Sequence, residues 1–363
     1  MVFNQQSSIN NETQPSVLLI SKPMPDFSIG VDLGGTNLRI AAISTDGELL
    51  EKVTLGTNAQ GPDHVVDEMC DAIRQLTDKY RSAGSLLGAG IGIPGIIDLE
   101  AGVVCKSANL PGWSGYPVRA EIERRLGKPI FLENDAKVAA LGEKWLGAGR
   151  DANDMAMITL GTGIGGCIIL GGKIFHGMNG MAGEFGHVTI VPDGVPCGCG
   201  NHGCAERYAS ATAIMRMARE VIERGEAPSL EKAANSDAEF GAQAIYKLAT
   251  QGDEAAQRIF DRFGSALGIM LAGLINILNL EMFVIGGGVA SAWDAFAPRM
   301  FEELRERSLI YAATAPEDPM GKQSGASASI STGTRRKTII TRAILGSDAG
   351  LYGAARVLAL EKR

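Results

Sequence analysis

The sequence predicts an α/β protein built from two similar lobes around a cleft, and three observations carry that expectation. The chain has 363 residues, enough for about two domains at roughly 150 residues each. Its opening places Phe27-Ser28-Ile29-Gly30-Val31-Asp32 and Leu38 to Ile43 on either side of Leu33-Gly34-Gly35-Thr36-Asn37, a strand, a glycine turn and a strand. The same idiom restarts at Met155 to Leu160, Gly161-Thr162-Gly163-Ile164-Gly165 and Gly166 to Leu170, so the chain reads as a duplicated α/β unit.

Residues 1–26 are polar, carry no periodic pattern, and read as a disordered tail. After the first strand pair, Thr45-Asp46-Gly47-Glu48 is the next turn. Apolar residues at Val65, Val66, Met69, Ile73 and Leu76 have helical spacing within Asp63 to Ala83, and Leu87 to Gly95 is a buried strand running into a loop. Tyr116 to Leu126 is a short helix, Pro129 to Glu133 a strand, and Asn134 to Leu146 a helix, with a break at Gly147 to Asp151. In the second half, helices are predicted over Ala211 to Gly225, Ala242 to Ala249, Glu254 to Leu278 and Ala292 to Leu309. Met282 to Ile285 is a strand delivering Gly286-Gly287-Gly288, Met320 to Arg336 a surface loop, Thr338 to Ile344 a strand and Ala349 to Ala359 the last helix.

Composition excludes several classes. Apolar residues are 45% of the chain and charged residues 21%, which fits neither a disordered nor a fibrous protein. A net charge of −7 gives no general attraction to nucleic acid or to an anionic membrane. The N-terminus lacks early Lys or Arg, and Val17 to Ile20 is too short for a signal-peptide core, so a soluble cytoplasmic protein is expected. Met270 to Ala290 is interrupted by Asn276, Asn279 and Glu281 and reads as a buried helix and strand, not a membrane span. Gly is enriched, 47 of 363 or about 13% against a usual ~7%.

Those glycines mark the candidate site. In Asp32 to Arg39, Gly34 and Gly35, with Thr36 and Asn37, let backbone amides face a polyphosphate, and Asp32 can hold Mg²⁺ through water. Thr162 and Gly163 form the matching turn in the second half, and Gly287 and Gly288 suit either a flat adenosine or a plain turn before a helix. Three of six cysteines, Cys197, Cys199 and Cys204, crowd into eight residues, with glycines permitting a tight wrap, which reads as zinc ligation. A fourth ligand is needed, with His187 the first candidate and His176 and His202 its competitors. Closed Cys₃His coordination makes such a metal structural. Cys70, Cys105 and Cys167 lie among apolar neighbours and read as small buried hydrophobes. Asp135, directly after a buried strand, suits either a helix cap or a catalytic carboxylate.

Together, Asp32-Leu33-Gly34-Gly35-Thr36, Glu133-Asn134-Asp135-Ala136, Glu184-Phe185-Gly186-His187 and the Cys-x-Cys-Gly-x-x-Gly-Cys-x-Glu string from Cys197 to Glu206 resemble the ROK family of sugar kinases and sugar-responsive repressors, over about Phe27 to Leu360. The resemblance implies an actin-like ATPase fold of the hexokinase, Hsp70 and ribonuclease H-like type. Residues 27–136 with 347–363 would form the N-terminal domain, and 137–346 a C-terminal domain carrying the zinc knuckle. It implies that His187 is the fourth zinc ligand. It also implies that Gly95, Asn109, Asn134, Glu184, His187 and Glu206 bind a hexose. Asp135 would then be the base that takes the sugar 6-hydroxyl proton late in a loose transition state, a role compatible with an ordinary Asp pKa. Glu206-Arg207-Tyr208-Ala209-Ser210 matches a continuation shown by members acting on glucose, so MgATP-dependent phosphorylation of glucose is expected; N-acetylmannosamine, allose and fructose are the alternatives. The repressor branch adds a helix-turn-helix domain, and only about 26 residues precede the first strand here. Family members are commonly homodimers or homotetramers.

Overall fold

Two five-stranded sheets with the same connectivity form the frame of the computed structural model, which describes residues 25–57, 61–82, 84–107, 109–236, 240–320 and 336–361. The expected tail and most of the 320–336 loop lie outside the described residues. In the first sheet, β1 (Phe27–Leu33), β2 (Asn37–Ser44) and β3 (Leu49–Gly56) form an antiparallel meander. After α1 (Pro62–Tyr80), β4 (Leu86–Ile93) pairs parallel to β1. A small hairpin, β5 (Ile96–Asp98) and β6 (Val103–Lys106), and α2 (Val118–Leu126) lead to β7 (Ile130–Asn134), parallel to β4. The order is β3-β2-β1-β4-β7. Helix α3 (Asp135–Trp145) then carries the chain to the second sheet.

The second sheet repeats the plan: β8 (Met155–Leu160), β9 (Ile164–Leu170) and β10 (Lys173–Ile174) are its antiparallel meander. Helices α4 (Ala211–Glu223), α5 (Pro228–Ser236), α6 (Ala242–Thr250) and α7 (Glu254–Leu278) precede β11 (Met282–Gly286), which is parallel to β8. Then follow α8 (Trp293–Arg307), α9 (Leu309–Thr314), β12 (Ile339–Arg342), parallel to β11, and α10 (Ala349–Glu361). The order is β10-β9-β8-β11-β12. Helix α7 has the length and composition of a membrane span, yet Phe263, Leu267, Leu271 and Ile275 are buried in the core.

Strand alternation explains the layers, because successive side chains point to opposite faces. In β2, Leu38, Ile40 and Ala42 join the core under α1 and α2, whereas Ala41 and Ile43 meet Leu351 and Ala355 of α10 on the other face. In β8, Ala156, Ile158 and Leu160 face the α4–α8 layer, and Met155 and Met157 face Ala140 and Leu141 of α3. Helices α3 and α10 therefore lie between the sheets. They cross closely enough that a Cβ on Gly353 would sit 1.6 Å from the Val138 carbonyl oxygen, so only glycine fits there.

Glu143 of α3 is fully buried and ties three segments together. Its Oε1 accepts from the backbone N–H groups of Ile344 (3.0 Å) and Leu345 (2.8 Å), between β12 and α10, and its Oε2 from that of Ala148 (2.8 Å), just beyond α3. Glu143→Ala would orphan all three donors, so a loss of about 3–5 kcal/mol in unfolding free energy is expected, read by urea titration. An unchanged midpoint would remove Glu143 as the tie.

Several sequence expectations need correction. Strand β3 and the β5–β6 hairpin were not anticipated; β3 is a half-buried edge with Glu51, Lys52 and Thr54 on it, and β5 and β6 are too short to show a pattern. Helix α5, which buries only Leu230, was also missed. Strand β9 starts at Ile164, inside the expected glycine turn. The helix expected over Ala292 to Leu309 is broken: residues Gly288–Ala292 form a 3₁₀ turn, and Ser308 leaves the helical region to cap α9, its Oγ accepting from the Tyr311 N–H at 3.0 Å. Cys70 and Cys167 are buried as expected, but Cys105 is exposed, because the β5–β6 hairpin turns one face to solvent.

Candidate active site

The end of β7 and the start of α3 carry the carboxylate at the centre of the site. Asn134 is the helix N-cap: its Oδ1 accepts from the N–H groups of Ala136 (3.0 Å) and Lys137 (3.3 Å), and its Nδ2 donates to the Gly95 carbonyl at 3.1 Å. Asn134 thus fills the capping role, and Asp135, whose Oδ1 accepts from the adjacent Ala136 N–H at 2.8 Å, is left for chemistry. Gly95 has φ +116°, and a Cβ there would meet the Lys106 carbonyl oxygen at 2.4 Å, which fixes glycine at this wall. Burial pushes the Asp135 carboxyl up to about 6; the Ala136 N–H opposes the shift, and the negative charges of Asp32 and Glu184 add to it. The expected mechanism tolerates an ordinary Asp pKa, and the raised value keeps Asp135 within the range of a base near neutrality.

On one side of Asp135 lies the cysteine cluster. His187 ends a 3₁₀ turn, Phe185–His187, and Glu206 sits on another, Ala205–Arg207, whose carbonyl at Glu206 accepts from Ser210 Oγ at 2.7 Å while that same hydroxyl caps α4. One donor atom each from His187, Cys197, Cys199 and Cys204 falls within a group no wider than 4.8 Å. Cys199 Sγ is 3.6 Å from Cys204 Sγ, and Cys197 Sγ is 3.7 Å from His187 Nδ1. Zinc bonds of about 2.3 Å to sulfur and ~2.0 Å to nitrogen in a tetrahedron put ligands roughly 3.5–3.8 Å apart, so the donors present fit that ion. His187 turns Nδ1 to the cluster and Nε2 toward Glu184 Oε2 at 3.9 Å. The competing ligands are placed elsewhere: His176 pairs with Glu133, and His202 is exposed, its backbone bridged to Pro196. Glu206 Oε1 is 3.1 Å from Cys197 Sγ and 3.7 Å from His187 Nδ1.

Between that cluster and Asp135 lies the 161–165 glycine turn. Gly163 abuts Glu206, whose Oε2 is 2.7 Å from where a Gly163 Cβ would stand, and Gly165 abuts Ala136 of α3. The turn therefore separates the cluster from Asp135's helix. Thr162 is exposed, with its carbonyl accepting from Thr212 Oγ1 at 2.7 Å. Gly287 and Gly288 lie at the end of β11, with Gly287 packed on the backbone of Leu160, the residue before that turn. Across the cleft, Gly34 closes the β1–β2 turn through its N–H to the Asn37 carbonyl at 2.8 Å, and Gly35 packs on Asn109. Gly35, Thr36 and Asn37 are exposed. Burial raises the Asp32 carboxyl above its usual range, Arg39 at 3.4 Å opposes the shift and the Asp348 charge adds to it.

The sequence profile of the ROK family matches residues 28–360. The chain belongs to the ROK family. Among ROK relatives, a glucokinase of Thermotoga maritima is 41% identical over 284 residues, covering 78% of this chain and 87% of its own. A glucokinase of Halalkalibacterium halodurans is 37% identical over 328 residues, covering 90% of this chain and 92% of its own. A crystal structure of a ROK glucokinase from Streptomyces griseus, in complex with glucose and AMPPNP, superposes with a TM-score of 0.71 at 31% identity, covering 91% of this chain and 98% of that one. The actin-like architecture expected of a ROK chain is the one observed.

Sequence reasoning missed three side chains that this ROK site brings beside Asn134 and Glu184. Glu133 and Lys137 are buried charges in the wall shared with Gly95, and His176 reaches Glu133 from the second lobe. Glu133 was visible only as part of a motif, and the partners of Lys137 and His176 are remote in sequence.

Proposed function

We infer that this chain is a cytoplasmic ATP-dependent glucokinase, transferring the γ-phosphoryl group of MgATP to the 6-hydroxyl of glucose. The observation that carries this reading is the position of Asp135, at a helix N-terminus beside the Gly95 and Asn134 wall and the 161–165 glycine turn, with a carboxyl raised toward neutrality. Glu184, Glu206, Asn109 and the second N–H of Asn134 Nδ2 hold the hydroxyls of glucose, with Gly95 giving the ring a close backbone wall. His187 Nε2 adds a contact of fixed tautomer. Asp135 orients the 6-hydroxyl and accepts its proton as the phosphoryl group arrives.

Backbone N–H groups at Gly35 and Gly163, with Thr36, Asn37 and Thr162 around them and Gly34 closing its turn, cradle the phosphates of MgATP. Asp32 reaches its Mg²⁺ through water, and Gly287 and Gly288 flank the adenosine. A structural zinc ion, when bound by His187, Cys197, Cys199 and Cys204, pins the knuckle and the orientation of His187. The lobes that close on the substrates are residues 27–136 with 347–363, and 137–346; the enzyme is expected to work as a homodimer or homotetramer.

The test is ADP release with MgATP against glucose, mannose, fructose, allose, N-acetylglucosamine and N-acetylmannosamine. Glucose should give the highest kcat/KM. A higher value for an acetamido sugar would keep the kinase and change the substrate, and sugar binding without turnover would move the chain to the sensing branch of the family.

A further inference from the structure

The sugar wall draws residues from both lobes, and two buried charges, Glu133 and Lys137, lie where the lobes meet, with the 41% exposed side chain of His176 against Glu133. Glu133, the next-to-last residue of β7, has a side chain only 6% exposed. Its Oε1 accepts from the Asn134 N–H at 2.8 Å and its Oε2 lies 2.6 Å from His176 Nε2. Lys137, on the first turn of α3 and 5% exposed, donates through Nζ to the Gly180 carbonyl. His176 and Gly180 belong to the stretch between β10 and the Phe185 turn, which has no regular structure, turns through positive φ at Gly177, Gly180 and Gly183, and ends in Glu184. Such a stretch has little local reason to hold one shape. Two buried side chains of the first lobe grip it instead, and burying a carboxylate and an ammonium is costly unless both are partnered.

We propose that Glu133, Lys137 and His176 form an interlobe latch of positioning residues that sets Glu184 in register with Asn134 and Asp135, and so governs sugar affinity but not the phosphoryl-transfer step. The proposal rests on the kinase reading above. None of the three touches the transferring group; they act through Asn134 and Glu184. Breaking the latch loosens the second-lobe half of the sugar wall and leaves the glycine turns as they are.

The experiment uses the full chain and three proteins: wild type, His176→Ala, and His176→Gln, whose side-chain amide can again donate to Glu133. Calorimetric titration with glucose gives Kd, and steady-state assays give KM for glucose, KM for ATP and kcat. His176→Ala should raise Kd and KM for glucose about tenfold, as loss of one charge-assisted hydrogen bond implies. ATP KM and zinc content should stay unchanged, kcat should remain within about twofold, and His176→Gln should recover most of the affinity. Equal glucose Kd in wild type and His176→Ala overturns the latch while leaving the kinase intact, and so does a fall in kcat with KM unchanged. A wild type that neither binds nor phosphorylates glucose or any of the other sugars named above overturns the kinase reading and the latch together.

Discussion

Asp135→Asn should lower kcat by about 10³-fold or more while leaving glucose Kd within about threefold, and should raise the melting temperature. The first effect follows from the proposed role of Asp135 as acceptor of the 6-hydroxyl proton, a role worth typically ~10²–10⁴ in rate. Asn keeps the shape and the polar contact to the Ala136 N–H side, so the sugar wall is undisturbed. The second effect follows from linkage. A carboxyl whose folded pKa is about 6, above its unfolded 3.8, favours the folded state only when protonated. That stabilisation is complete below pH 3.8 and is lost as pH rises through 6, so at pH 7.5 the ionised Asp135 is a cost that Asn removes. The same value predicts that kcat/KM for glucose, which reports the free enzyme, falls as pH drops through about 6 in the wild type. Near-normal kcat in Asp135→Asn, or a wild-type profile flat from pH 5 to 8, would remove Asp135 as the base.

The parts of this site legible in the sequence are those whose chemistry is local. Cys197, Cys199 and Cys204 lie within eight residues, and their spacing alone points to a metal because thiolates that close must share one or repel. The turns at Gly34-Gly35 and Gly161 to Gly165 are legible because glycine marks backbone that must turn or be approached. The duplicated sheet follows from those two turns, and the two sheet orders match strand for strand. What was illegible depends on partners far away in the chain. The shift at Asp135 comes from cleft walls built by both lobes, with the charge of Asp32 from β1 and that of Glu184 from beyond β10. Glu143 carries no signal in the sequence, because the segment before α10 that gives it partners lies far along the chain. Cys105 looked buried because its neighbours are apolar, whereas its strand belongs to a hairpin with one wet face.

Cys204→Ser should reduce bound zinc from about one per chain to near zero, lower the melting temperature and raise glucose Kd by an order of magnitude or more. Cys204 is fully buried, so its replacement cannot be compensated from solvent. Four protein donors fill a tetrahedral sphere, and removing one exchanges a thiolate for a neutral hydroxyl that binds zinc poorly. Apart from the ligands the knuckle is held by hydrogen bonds, among them Val195 N–H to Tyr208 Oη at 2.7 Å, Asn201 Nδ2 to Thr189 Oγ1 at 2.8 Å, Cys197 N–H to the Asn201 carbonyl at 2.8 Å and Gly203 N–H to the Val195 carbonyl at 3.0 Å, so zinc loss loosens it rather than unfolding the chain. Free of the ion, the His187 ring loses the partner at Nδ1 that aims Nε2 toward Glu184, and sugar affinity falls with it. Because thiolates and a neutral imidazole are the ligating forms, acid and chelators should reproduce the variant's phenotype in the wild type. His202→Ala is the control, since its ring stands outside the cluster. It should keep full zinc content and wild-type affinity, and a loss of zinc there with retention in Cys204→Ser would reassign the ligand set.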